Sequence, residues 1–250
     1  MKKVLFYFIV SLIPLLAHDA PYSQEKFRGI LQKSYLQAPT SSYNAHYGMK
    51  GGSFQYFQNR YFYLQDGKYM VFAMCGNRNR SELREKSAWH VSTLTAKTLF
   101  AKIYLFPLDQ NKEFTFLQIH PDPKKVSQYA TTINKPLLRI VWRKKYRGKY
   151  DHLWAIIRLS TDTNDHNYLK VDLGKRVNNF FTIKIEVIKS RMKIFVNNLL
   201  KVYRDIHYWS GSLNYFKAGV YLQGDGCSKV LFDTLKLYDA KKSGKNKIAY

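Results

Sequence analysis

From Phe54 onward the chain repeats one pattern: short runs rich in Val, Ile, Phe, Tyr and Thr, apolar at every second position and broken by Gly, Asn, Asp or Pro. A period of two sends successive side chains to opposite faces of a strand, so each run predicts a β-strand with one dry and one polar face. The predicted strands are 54–64, 68–75, 80–85, 97–106, 113–120, 137–143, 153–159, 180–188, 192–196, 199–203, 215–223 and 229–238, and Asn197-Asn198 predicts a tight hairpin turn. Residues 18–47 keep no steady period and contain Pro21 and Pro39, which predicts an irregular lead-in. No long amphipathic helix and no internal repeat is visible. Many short strands at regular spacing predict an all-β fold, a two-sheet sandwich or jelly roll, as a single domain over 48–240 followed by a basic tail over 241–250.

In three of these runs the polar face carries chemistry rather than scattered charge. In Tyr215 to Gln223 the even positions Phe216, Ala218, Val220 and Leu222 are apolar, while Tyr215, Lys217, Gly219, Tyr221 and Gln223 share the other face. In Arg80-Ser81-Glu82-Leu83-Arg84 the two arginines flank a glutamate on one pleat, which orients their guanidinium groups and leaves donors for an anion. In Gln118-Ile119-His120 the amide and the imidazole lie on one side, with Ile119 turned inward. Taken singly, each has an ordinary structural reading as a solvated sheet face, a salt-bridge trio or an isolated histidine.

Taken together and in this order, the three stretches resemble the alginate lyases of polysaccharide lyase family seven, whose signatures read R-S/T-E-L-R, Q-I/V-H and Y-F-K-A-G-x-Y-x-Q. The resemblance spans roughly residues 54 to 238 and implies a β-jelly roll whose concave sheet forms a substrate groove. It implies that Arg84 and Gln118 neutralise a uronate carboxylate, that His120 removes the C5 proton of guluronate, and that Tyr221 protonates the leaving oxygen. On mannuronate, Tyr221 would serve as both base and acid. Lys217 is expected to bind substrate and to help lower the Tyr221 pKa; Arg80, Glu82 and Gln223 to support the site; and Tyr215 to touch a sugar ring. Ile119, where other members carry Val, resembles the members that act on guluronate-containing blocks.

The residue types suit the reaction. A 4-linked uronate loses its C5 proton to give an enolate-like dianion that expels the C4 oxygen, which requires a neutralised carboxylate, a base and an acid. A glycoside hydrolase would instead need two facing carboxylates, and Glu82 and Glu85 point to opposite faces of one strand. Two alternatives remain open at this point: a non-catalytic module that binds acidic polysaccharide, and a lyase acting on another uronate polymer such as glucuronan.

Charge narrows the partner. Forty-one Lys and Arg against 17 Asp and Glu give a formal +24, which steers and retains a polyanion. Alginate fits, and by charge alone so would nucleic acid, heparin-like glycans or an anionic membrane surface. No nucleic-acid motif is present, and the densest basic run, Arg143 to Lys149, is expected between strands as a solvated loop or a border of the groove. Met1-Lys2-Lys3, the apolar run Val4 to Leu16 and Ala17 have the layout of a secretory signal peptide over 1–17, too short to span a bilayer. The expected product is a secreted, monomeric protein without integral membrane association and without a metal or other cofactor. Cys75 and Cys227 are the only cysteines; an exported chain permits one disulfide between them, the other reading being two buried thiols. Each lies beside a motif strand, so a bridge would tie two groove strands together.

Overall fold

A computed structural model describes residues 19–40, 54–108, 110–122 and 133–240. The expected leader over 1–17, the tail over 241–250 and most of the 121–133 connection lie outside the described residues. In chain order the elements are helix α1 (Glu25–Gln32) and strands β1 (Ser34–Gln37), β2 (Phe62–Gln65), β3 (Tyr69–Cys75), β4 (Arg80–Glu85), β5 (Trp89–His90), β6 (Ala96–Pro107) and β7 (Glu113–Pro121). Then follow β8 (Leu138–Tyr146), β9 (Lys149–Arg158), β10 (Tyr168–Lys175), β11 (Phe181–Ile188), β12 (Arg191–Val196), β13 (Leu199–Asp205), β14 (Leu213–Leu222) and β15 (Cys227–Ala240). No described helix is long and apolar enough to cross a membrane.

The strands form two antiparallel sheets. One runs β1-β4-β14-β7-β8-β9-β10, with the short β5 also pairing β14; the other runs β13-β12-β11-β6-β15-β3-β2. This is the all-β two-sheet sandwich that the alternation predicts. In β11 the pattern is plain: Phe181, Ile183, Ile185 and Val187 are buried between the sheets, and Thr182, Lys184 and Glu186 face outward. Phe62, Phe72, Phe114, Phe116 and Phe232 lie fully buried in the same core, each contributing about 1.5–3 kcal/mol of transfer free energy. Four hairpins close through residue pairs with positive φ, the geometry that matches strand twist: Asp66-Gly67, Arg147-Gly148, Lys189-Ser190 and the predicted Asn197-Asn198.

Four expectations need correction. The run 54–64 is a strand only from Phe62; Phe54 is a core residue in a turn-rich segment. The lead-in over 18–47 is not irregular throughout: α1 buries Phe27, Ile30 and Leu31, and β1 pairs β4, an eight-residue helix and a four-residue strand being too short to display a period. Strand β10 was missed because its residues are mostly half-exposed and lack an apolar stripe. The cysteines are bridged, but Cys75 and Cys227 face each other across β3 and β15, in the sheet opposite the groove. The bridge therefore holds together the two points where the chain crosses into β4 and out of β14, where Gly76 N–H also donates to Gly226 O at 3.0 Å.

Candidate active site

Strand β14 is the axis of the site because its two neighbours deliver all the other motif residues. On one side Lys217, Gly219 and Tyr221 face Arg84, Glu82 and Arg80 of β4. On the other, Tyr215 and Lys217 face His120 and Gln118 of β7. Between Ala218 and Tyr221 the register against β7 slips by one residue, so Tyr221 stands opposite Thr115. Such a bulge re-aims a side chain, and here Gly219 makes it possible. Its φ is +146°, and a Cβ there would lie 2.2 Å from Ser81 O, a space that only glycine leaves open.

Glu82 sits beneath the groove at 0 % exposure and gathers three donors. Its Oε1 accepts from Gln118 Nε2 at 2.5 Å, and its Oε2 accepts from Lys217 Nζ at 2.5 Å and Arg80 Nη1 at 3.2 Å. Lys217 and Gln118 are each only 2 % exposed. Burial pulls the Lys217 ammonium down to about 8, and the adjacent carboxylate works the other way, holding it up. The surface trio read from alternation is thus a buried ionic cluster. Alternation identifies a polar face but not how much of it is covered.

His120 contacts the Pro121 carbonyl through Nδ1 at 2.8 Å, and the Tyr215 phenol oxygen lies 3.2 Å from the same nitrogen. A carbonyl only accepts, so Nδ1 carries the proton and Nε2 keeps its lone pair. Burial, then the neighbouring Lys217 cation, lowers the imidazole to about 3, so it is an unprotonated base at neutral pH. Tyr215 stacks on the imidazole with ring centres 5.5 Å apart, and burial pushes its phenol up to about 12. It is 6 % exposed, so it holds His120 more than it offers a face to sugar.

Arg84 lies 4.2 Å over the Tyr215 ring and donates from Nη2 to Asp122 at 2.9 Å. Arg80 lies 4.1 Å over the Tyr221 ring. The cation against the Tyr221 ring is therefore Arg80, whereas Lys217, expected in that role, is bound to Glu82. Neither Arg80 Nε nor Arg84 Nε has a hydrogen-bond partner, although both are buried. Both arginines also line the groove, and a guanidinium fork is suited to a carboxylate. Gln223 accepts from Thr115 Oγ1 at 2.7 Å, which fixes the end of β14.

A groove of about 530 Å³ opens over this floor, lined by Arg80, Arg84, Gln118, His120, Tyr215, Lys217, Tyr221 and Gln223. Every site residue predicted from the motifs is brought to it, with Glu82 directly below. Gln37, Asp122, Arg139 and Tyr168 also line it and were not foreseen. Arg139 alternates correctly within the predicted strand 137–143 and pairs Gln118 across the sheet, so the polar position was visible but its neighbour was not. Asp122, two residues past His120, carries no pattern of its own.

Comparisons with known proteins agree with this geometry. The sequence pattern of the family described as alginate lyase matches residues 31–239. An alginate lyase from Photobacterium sp. (strain ATCC 43367) is 31% identical over 253 residues, covering 88% of this chain and 87% of that protein. Among solved structures, alginate lyase AlyC3 in complex with dimannuronate superposes with a TM-score of 0.80 at 26% identity, over 91% of this chain and 97% of that one. Alginate lyase A1-II′ shares the fold, with a TM-score of 0.68 at 18% identity over 87% of this chain and 99% of that one. With its three signatures assembled on one concave sheet, the chain belongs to the alginate lyases, the polysaccharide lyases of family seven.

Proposed function

We propose that this lyase cleaves alginate by β-elimination at 4-linked uronates, releasing oligosaccharides with a 4,5-unsaturated end. The observation that carries the reading is that the neutral His120, Tyr221 and the guanidinium-bearing Arg80 and Arg84 all line one groove. Arg84 and Gln118 bind the uronate carboxylate and spread the charge that develops as C5 is deprotonated. His120 Nε2 takes the C5 proton of guluronate, and Tyr221 gives its phenolic proton to the C4 oxygen as the glycosidic bond breaks. Lys217 and Glu82 hold Gln118 and Arg80 in register beneath the sugar, and Tyr215 holds His120. The protein acts outside the cell, a reading supported by the Cys75–Cys227 bridge, since disulfides persist in oxidising compartments; it is expected to act there as a monomer.

The preferred block is guluronate-containing, on the resemblance carried by Ile119. That side chain is fully buried, so it acts only through the backbone of β7. A mannuronate preference is the second reading, favoured by the dimannuronate held by AlyC3. Absorbance of the unsaturated product, followed separately on guluronate-rich and mannuronate-rich polymer beside Tyr221→Phe, tests both points. A rise that Tyr221→Phe loses supports elimination, and the faster polymer identifies the preferred uronate. Activity only on pure mannuronate polymer refutes the guluronate assignment, and binding without any rise refutes the lyase reading on alginate.

A further inference from the structure

The basic run Arg143 to Lys149, expected between strands, instead forms the end of β8 and the start of β9, with only Arg147-Gly148 between them, and it has no part in the chemistry above. Its hairpin, closed by Arg147-Gly148, forms one wall of a second cleft, of about 830 Å³, lined by Lys112, Lys144, Lys145, Tyr150, Gly224 and Asp225 among others. Lys144 N–H donates to Lys112 O at 2.9 Å, which fixes the two lysine backbones side by side. Lys145 pairs Tyr150 across the hairpin, and its Nζ stands 4.9 Å over that ring. Tyr150 is 58 % exposed, an aromatic face turned to solvent. Asp225 is the one acidic residue among the described lining, against three lysines, so the cleft is net positive and suits an anionic ligand.

The cleft also adjoins the catalytic groove along the backbone. Gln223 lines the catalytic groove and Gly224, the next residue, lines this cleft. Consecutive Cα atoms are about 3.8 Å apart, so the two openings meet at this backbone step. We propose that the cleft formed by Lys112, Lys144, Lys145 and Tyr150 is an accessory site that binds a carboxylate-bearing segment of the same polysaccharide, remote from the scissile bond. Tyr150 offers a surface for a sugar ring and the lysines pair the carboxylates. The continuity with Gln223 favours the polymer over an unrelated polyanion. This inference rests on the proposed action on alginate.

The test compares the triple variant Lys112→Gln/Lys144→Gln/Lys145→Gln with a control triple, Lys33→Gln/Lys201→Gln/Lys236→Gln, that removes the same charge from exposed positions elsewhere. Retardation in native gels containing alginate reads binding, and product absorbance on polymer and on a trisaccharide reads turnover. Each exposed ion pair is worth about a factor of two, so the cleft variant binds polymer about eightfold more weakly and its KM on polymer rises likewise. Its trisaccharide turnover matches wild type, and Tyr150→Ala reproduces part of the loss. Equal losses in both triples make the effect one of net charge and overturn the proposal, as does no loss in either. Stronger retardation by a DNA oligonucleotide than by alginate, abolished by the cleft variant, makes the occupant nucleic acid and also overturns it. Absent turnover of trisaccharide by wild type would instead strike at the lyase reading, which the gel measurement does not use.

Discussion

Replacing Glu82 by alanine leaves an ammonium in the protein interior. Lys217 is 2 % exposed and Glu82 0 %, so neither charge is screened by solvent, and Glu82 is the carboxylate that Lys217 contacts. Breaking such a pair from one side costs about 3–5 kcal/mol. For a chain of this size each kcal/mol lowers Tm by about 2–4 °C, so Glu82→Ala should melt about 10 °C or more below wild type. Without the carboxylate that holds it up, the Lys217 value falls below its present value of about 8. Gln118 loses its 2.5 Å anchor at the same time, and misplacing a carboxylate-binding group costs about 100-fold in rate. The paired variant Glu82→Leu/Lys217→Met separates the two effects. With both charges gone, apolar side chains of similar volume restore most of the stability, while turnover stays low because Gln118 and Arg80 remain unheld. Calorimetry at pH 7 beside product absorbance reads both quantities. If Glu82→Ala melts within about 2 °C of wild type, or the paired variant recovers wild-type turnover, the reasoning fails.

Tyr221→Phe should lower turnover by about 100- to 10,000-fold while leaving polymer binding and circular dichroism unchanged; a drop of under tenfold would remove the phenol from proton transfer. His120 acts as the free base, and its lowered value of about 3 keeps it in that form well into the acid range. The kcat/KM profile should therefore show no acid limb near the ordinary imidazole value of about 6.5, and a limb centred there refutes the assignment. Gly219→Ala drives a Cβ to within 2.2 Å of Ser81 O in a left-handed conformation, for a cost of about 3 kcal/mol that thermal melting should detect. Cys75→Ser/Cys227→Ser opens a loop with a sequence separation of 152. It should lose about 4 kcal/mol of stability yet keep turnover at 25 °C, because the bridge lies in the sheet away from the groove.

The chemistry was more legible than the architecture around it. Period-two alternation identified the polar faces of β4, β7 and β14, and the residues on those faces do meet in one groove. The depth of Glu82 was hidden, because alternation treats a solvated face and a polar face buried beneath a groove alike. Asp122 and Gln37 escaped for a different reason. Each gains its place from a long-range pairing, Asp122 with Arg84 and Gln37 with Glu82 across β1–β4, and neither segment bears a period of its own. The sequence permits a bridge between the two cysteines without requiring it, and it conceals the sheet that holds them, because closeness in sequence to Arg80 and Gln223 spans a crossover from one sheet to the other. The bulge at Gly219 left no trace in alternation, which runs unbroken through Tyr215 to Gln223.

The ion pair at the heart of the site joins residues 135 positions apart. Loop-closure entropy for such a contact is regained only when β14 has docked against β4, a strand formed from the first third of the chain. The catalytic constellation therefore cannot exist in a nascent or half-folded chain, and turnover becomes a clock for the latest long-range pairing. During refolding from denaturant, strand signal in circular dichroism should recover before lyase activity does. Neither half of the chain, split within the 159–167 connection, should be active alone, and mixing the halves should restore activity only to the extent that β14 finds β4.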